Sequence, residues 1–343
     1  VGKKFSLKFK ILFLAVGLVA NFSSMGQTHN KMGEDALESI AYLKKNPQKM
    51  KLVKLIWNAD LKNGQEIYND LGLDKENTGK NDFMGFFKFV NGMNYKTKNP
   101  YYPRYIEHYE DLRKLKFPLP KNKMSYEHDE KKKTITYYNQ YQITEWFSKT
   151  KADQSVCAVK FISDDEKSYR LKTFKNNEEA KREGYTITHK SKCGTCSSLK
   201  DLAVYIAKPD LTTPARSCAT KSTLNRIKKC IINKIGFSEY CAETWAYSAY
   251  HTRFECIGMC IKDYGLLNII FNNMEGSIMN KDGSLRPCVA CDEYKSGPAF
   301  KYGVGRNRRR SGLKSRIIRK KEELYQIDHF KYFKATKNWK WYF

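Results

Sequence analysis

The chain has 343 residues, 41% hydrophobic and 14% aromatic, enough apolar material for a packed core of one or two domains, which excludes a disordered chain. Its formal net charge is +27. A field of that sign favours polyanions and anionic surfaces as partners but says nothing about fold.

At the N-terminus Lys3, Lys4, Lys8 and Lys10 precede the apolar run 11–20, and small and polar residues follow to Gly26. This pattern predicts a secretory signal peptide over residues 1–26. Its apolar core of ten residues is far short of the roughly 20 that a membrane-spanning helix needs. No later stretch approaches a span, so no transmembrane segment is expected once the signal is cleaved. Export to an oxidising compartment makes disulfides the default state of the ten cysteines.

Residues 27–152 contain no cysteine and read as a mainly helical, Tyr-rich region, with helices expected at 34–45, 51–57, 61–71 and 104–116. The aromatic run 83–90 reads as core. All ten cysteines fall between Cys157 and Cys291, which sets off a cysteine-rich domain over 153–330. Strands are expected at 134–141, 157–162, 169–174 and 185–189, with a short helix at 177–183. A helix capped by Ser197 or Ser198 follows. After the PDLTTP turn come two long helices, 219–235 and 238–264, hinged at Gly236–Phe237 and short enough in connection to pack antiparallel. The remainder to Gly312 reads as loop, 313–321 as a further helix, and 331–343 as an aromatic and basic tail. The fold class is therefore α+β: a mainly helical N-terminal region, then a disulfide-rich α+β domain with a long helical hairpin.

The stretch 287–312, PCVACDEYKSGPAFKYGVGRNRRRSG, concentrates the chemistry. Gly303, Gly305 and Gly312 bracket Arg306, Arg308, Arg309 and Arg310. Glycines let backbone amides turn toward a ligand, and guanidinium forks pair with carboxylate, sulfate or phosphate oxygens. These arginines, with Gly303, Gly305 and Arg253 of the second long helix, are the candidate ligand-binding set; Arg253 also reads as an ordinary surface partner of Glu243. Asp292 and Glu293 are candidate acid/base groups or neutralisers of the cluster. A second candidate lies at 187–207, where a strand, a C-x-x-C and a helix follow one another. A helix N-terminus lowers a thiol pKa, so Cys193 and Cys196 beside His189 are candidate catalytic groups, against the alternatives of structural bridges or a metal site. His189 with His251 and a neighbouring acid would hold copper or zinc. The two C-x-x-C pairs are 91 residues apart, which makes spacing a weak zinc signal. As disulfides, Cys256 and Cys260 could reach across to the two C-x-x-C loops and Cys230 could join Cys241, which leaves Cys157 and Cys218 for each other or for a rearranged pairing; sequence alone does not fix the connectivity.

The segments 188–206, 236–245 and 288–313 resemble an uncharacterised family of cysteine-rich proteins with signal peptides. The resemblance spans about 155–330 and carries no activity. It implies that His189, Cys193, Cys196, Asp201, Cys241, Cys288, Cys291, Asp292, Glu293, Arg306, Arg308 and Arg309 occupy motif positions, and that the family has asparagine where His251 stands.

Three functions fit. The first is an exported, disulfide-stabilised protein that binds an anionic small molecule, glycan or lipid head group through the Gly/Arg loop; export argues against nucleic acid. The second is an oxidoreductase or metal-dependent enzyme at His189, Cys193 and Cys196, with the arginines anchoring substrate. The third is a structural protein adhering to anionic envelope polymers.

Overall fold

Alternating burial along SYRLKTF makes a strand: Tyr169, Leu171 and Phe174 are buried while Arg170 and Lys172 face water. In the computed structural model, which describes residues 40–71, 126–129, 134–137, 155–271, 273–274, 278–281, 284–317 and 324–339, this strand is central. It is β5 (Ser168–Phe174), antiparallel to β4 (Val156–Phe161) with Val159 opposite Leu171. On its other edge lies β1 (Asp60–Leu61), parallel to it. Strand β6 (Thr186–Lys190) pairs antiparallel with β4, and the sheet order is β1-β5-β4-β6. A separate hairpin joins β2 (Tyr126–Asp129) and β3 (Thr134–Tyr137).

The helices in chain order are α1 (Ala41–Lys44), α2 (Pro47–Trp57), α3 (Gly64–Asp70), α4 (Asn177–Arg182) and α5 (Leu199–Ala207). Then come α6 (Thr212–Ala219), α7 (Leu224–Ile235), α8 (Glu239–Tyr264), α9 (Leu266–Ile270), α10 (Pro287–Lys295) and α11 (Gly297–Val304). Ser198 caps α5 and Ser238 caps α8, each hydroxyl accepting an amide three residues on. Gly236 ends α7 in the left-handed conformation and turns the chain so that α8 packs on α7, the expected hairpin.

Several boundaries differ from the expectation. The predicted 219–235 helix begins only at Leu224, capped by Thr223, and a separate helix, α6, starts within the PDLTTP segment read as a turn and runs to Ala219. The loop-like stretch 287–304 is α10 and α11; each carries its proline in the first turn, where no amide hydrogen is needed. Residues 61–71 begin as β1 before α3. Residues 313–317 are irregular rather than helical. The expected signal peptide, the helix at 104–116 and the core run at 83–90 lie outside the described residues.

Residues 40–71 have no core of their own. Leu43, Leu52, Val53 and Ile56 join Leu202, Ile206, Ile231 and Tyr247 in one cluster, with α2 laid against α5. All ten cysteines are paired, as Cys157–Cys193, Cys196–Cys241, Cys218–Cys230, Cys256–Cys291 and Cys260–Cys288. The last two staple α8 to the second C-x-x-C alone, where the expectation had Cys256 and Cys260 reaching to both C-x-x-C loops. The expected pairs Cys230–Cys241 and Cys157–Cys218 do not form: α6 brings Cys218 to Cys230, and Cys157 on β4 faces the loop after β6. Among the described residues no helix is long and apolar enough to cross a membrane. The five disulfides are consistent with an extracytoplasmic protein.

Candidate functional site

The loop 192–197 and the loop 303–306 are interlocked main chain to main chain. Thr195 N–H donates to Gly303 O (2.9 Å) and Cys196 N–H to Val304 O (3.0 Å). A Cβ on Gly194 would lie 2.5 Å from Gly305 N, and one on Gly305, whose φ is +66°, would lie 2.5 Å from Gly194 N and from Lys192 O. The glycines therefore serve the approach of two backbones. Gly305, expected to turn its amide toward a ligand, is in this structure packed against the backbone of 192–194.

Arg306 fastens the same junction. Its side chain has no exposed surface, and its guanidinium donates to Cys196 O (3.1 Å), Thr188 O (3.1 Å), Ser197 O (3.0 Å) and Ser311 Oγ (3.2 Å). Arg310 donates to Lys301 O (2.8 Å) and Gly305 O (3.3 Å). Arg308 donates to Lys314 O (3.0 Å) and to Lys208 O, and burial pulls its pKa down to about 10. Arg309 is buried with its guanidinium over the Tyr325 ring, 5.5 Å from the centroid. Arg253 on α8 donates to Ala219 O and to Lys221 O (2.5 Å), while the carboxylate of Glu243 approaches Lys228 instead. Arg306, Arg308, Arg309 and Arg310 thus share one loop while Arg253 contacts the turn after α6, and Arg306, Arg308, Arg310 and Arg253 present their forks to carbonyl oxygens of the chain. A guanidinium fork satisfies carbonyls as well as it satisfies anions, so the sequence pattern is the same for both.

His189 sits beneath this junction. Its Nδ1 lies 2.8 Å from Lys190 O and its Nε2 2.7 Å from Ser197 Oγ. A carbonyl accepts only, so Nδ1 carries the hydrogen and Nε2 accepts from the Ser197 hydroxyl. Gly194 N–H donates to the same Oγ (2.7 Å). Burial, then the nearby Arg306 charge, hold the ring well below the ordinary histidine range, so it stays neutral. The distances are those of a nucleophile and its base, but neither His189 nor Ser197 has exposed surface, and Cys193 and Cys196 are bonded to Cys157 and Cys241 rather than available as a dithiol. The expected redox centre at His189, Cys193 and Cys196 is accordingly a buried fastening. Beside it, buried Asp201 accepts from Ser198 Oγ (2.5 Å), Ser238 N–H (2.8 Å) and Ser238 Oγ (2.8 Å), tying the caps of α5 and α8 together.

The expected pairing of His189 with His251 in a metal site does not occur. His251 belongs to a different, half-buried group where α8 meets α10 and α11. Its Nδ1 lies 2.9 Å from Ser296 Oγ, and Ser296 Oγ lies 2.8 Å from Thr252 Oγ1, which donates to Asp292. With Asp292 ionised, one hydrogen order is consistent: His251 Nδ1–H to Ser296, Ser296 to Thr252, Thr252 to the carboxylate. Burial, reinforced by the neighbouring Glu293 charge, pushes Asp292 up to about 6. Glu293 itself pairs with Lys301 (2.7 Å). Two candidates from the sequence, His251 and Asp292, are therefore joined through Thr252 and Ser296, which carried no sequence signal beyond the four-residue spacing of Asp292 and Ser296 along the helix. Among the described residues no group of three His, Cys, Asp or Glu side chains is placed to hold a metal.

Many of the exposed cations are lysines, beside the exposed Arg170, Arg182 and Arg226. Lys44, Lys45, Lys51, Lys200, Lys331, Lys334 and Lys337 are exposed, and among the described residues none of their ammonium groups has an ion-pair partner, although the main-chain amide of Lys334 donates to the carboxylate of Glu166 (3.0 Å). The Lys51 ammonium lies over the Trp339 ring (5.0 Å), which connects α2 to the C-terminal turns, and Lys200 lies over Trp57 (5.2 Å). The even spread of lysines along the sequence gave no sign of this grouping, since α2 and residues 331–339 meet only in three dimensions.

Comparison with known proteins decides little beyond this. Residues 224–327 match the model of a family of unknown function (DUF8771). The match covers α7 to α11 and the arginine loop, and so includes the second and third of the motif segments but not the first. No curated protein and no solved structure matches the chain.

Proposed function

We propose that the protein works outside the cytoplasm as a disulfide-stapled binding protein that adheres to anionic polymers through its lysine surface. The observation that supports this reading is the division between its two kinds of cation. Arg306, Arg308 and Arg310 bind carbonyl oxygens inside the fold, while Lys44, Lys45, Lys51, Lys200, Lys331, Lys334 and Lys337 are exposed with no ion-pair partner for the ammonium among the described residues. An ammonium on a flexible stem is a point charge that suits a polymer of varied geometry, and a rigid fork would suit one small anion better. With a net charge of +27 the field draws polyanions over distances set by the Debye length, about 8 Å at physiological salt. Trp339 and Trp57, each beneath a lysine, add flat apolar surface beside the charge.

The reading is tested by retention on a polyphosphate matrix across a salt gradient. Wild-type protein should elute at a salt concentration that falls clearly when Lys331, Lys334 and Lys337 are all changed to Gln. An unchanged elution position for that variant would sink the proposal.

A further inference from the structure

We propose that the C-terminal half of α8 together with α9 is a bilayer-docking face, which lays an apolar stripe into a membrane containing anionic lipid. Phe254, Ile257, Gly258 and Ile261 recur at spacings of three and four, so they share one side of α8. Phe254 is 48% exposed and Ile257 38%. Helix α9 extends the surface with Leu266 (41%) and Leu267 (67%), and Phe271 (65%) caps its end. Among the described residues, five of the six exposed large apolar side chains lie within 254–271; the sixth is Ile162. Nothing stands within 4 Å of a Cβ built on Gly258, so the middle of the stripe is open.

The stripe is also held in place. Cys256 and Cys260 fall on the other side of α8, where they are bonded to Cys291 and Cys288 of α10. These bonds fix the rotation of α8 and keep the apolar side outward. Contiguous apolar surface of this kind marks a contact with a partner or a membrane.

Charge selects the occupant. Lys262 follows the stripe on α8, and Lys221 sits in the loop that Arg253 clasps next to Phe254; both are exposed, with no acidic partner among the described residues. Asp263 is held by Arg286 (2.8 Å), leaving Glu255 as the exposed acid of the stretch. Docking of a second copy on this face would bring together two chains of charge +27, which repel. An anionic bilayer meets both features: phosphates receive the ammonium groups, and Phe254, Leu267 and Phe271 enter below the head groups. The inference rests on the lysine reading above for the approach and adds insertion to it.

The test is flotation of the full, disulfide-intact chain with vesicles of phosphatidylcholine alone and of phosphatidylcholine mixed with phosphatidylglycerol, with soluble polyphosphate binding measured alongside. Wild-type protein should float with the mixed vesicles and remain in part bound at about 0.5 M salt, where exposed charges are screened but burial of apolar surface is not. The Phe254→Ser/Leu267→Ser/Phe271→Ser variant should lose vesicle partition about tenfold or more while keeping polyphosphate binding. Leu267→Trp should float as well as wild type. Equal flotation of the serine variant and wild type would overturn the inference, as would complete release of wild type by salt. So would a wild-type dimer that the serine changes turn into a monomer with vesicle binding intact, since the face would then join two copies. Loss of polyphosphate binding beside salt-resistant flotation would instead sink the lysine reading and leave insertion standing.

Discussion

Replacing Arg306 separates a fastening from a binding group. In Arg306→Met the stem still fills its space, but Cys196 O, Thr188 O, Ser197 O and Ser311 Oγ lose their donor together. Each buried acceptor left unpaired costs about 1–3 kcal/mol, and the penalties overlap because the groups relax as one; breaking a buried charged network costs about 3–5 kcal/mol in total. We take about 4 kcal/mol, a large part of the roughly 5–15 kcal/mol that holds a typical protein folded. For a fold of this size that is a drop in Tm of about 10 °C. Arg306→Lys keeps the charge but has one nitrogen for four acceptors spread around the guanidinium, and should fall between wild type and Met. The assay is guanidinium denaturation with disulfides intact, read beside polyphosphate binding. A Met variant that unfolds at the wild-type midpoint and loses polyphosphate affinity would refute the reasoning, for Arg306 would then be serving a ligand.

Gly305→Ala should lower stability by about 3 kcal/mol or prevent folding, because the Cβ meets backbone atoms at 2.5 Å and φ is +66°. Gly258→Ala, with nothing nearby and a helical site, should raise stability by up to about 1 kcal/mol in the same denaturation assay. Asp292, raised from 3.8 to about 6, binds more protons folded than unfolded between those values, so its contribution to stability is lost as pH rises through that window; Asp292→Asn should remove the loss, up to about 3 kcal/mol, seen as a Tm gain at pH 7.5 that is absent at pH 3.5. His329 runs the other way. Burial, then the Arg306 charge, lower it from 6.5 to about 3, so its contribution is complete above 6.5 and lost as pH falls toward 3; His329→Gln should flatten the acid limb of the Tm profile.

What the sequence revealed was local. Ser198, offered beside Ser197, could be read as a cap and Gly236 as a hinge because each acts on neighbours within a turn. Cys256 and Cys260 could be read as a pair on one helix face that meets a C-x-x-C, but which C-x-x-C they meet was not encoded in the spacing. The pairs Cys157–Cys193 and Cys196–Cys241 depend on how β4, β6 and α8 meet, which no spacing encodes. Helices α10 and α11 were hidden by Pro287 and Pro298, residues that break a helix interior but suit its first turn. The arginine loop was visible as a concentration of donors, but whether a fork meets a carbonyl or an anion depends on what the fold places in front of it. His251 and Asp292 were legible singly, and their link through Thr252 and Ser296 was not.

Hydrogen–deuterium exchange with and without polyphosphate tests the central claim most directly, since it reports where the polymer lies. The account predicts added protection over residues 41–51 and 329–339, with none over 303–312, whose Arg306 and Arg310 forks already face the chain's own carbonyls. Protection confined to 303–312 would contradict it and return the binding site to the arginine loop.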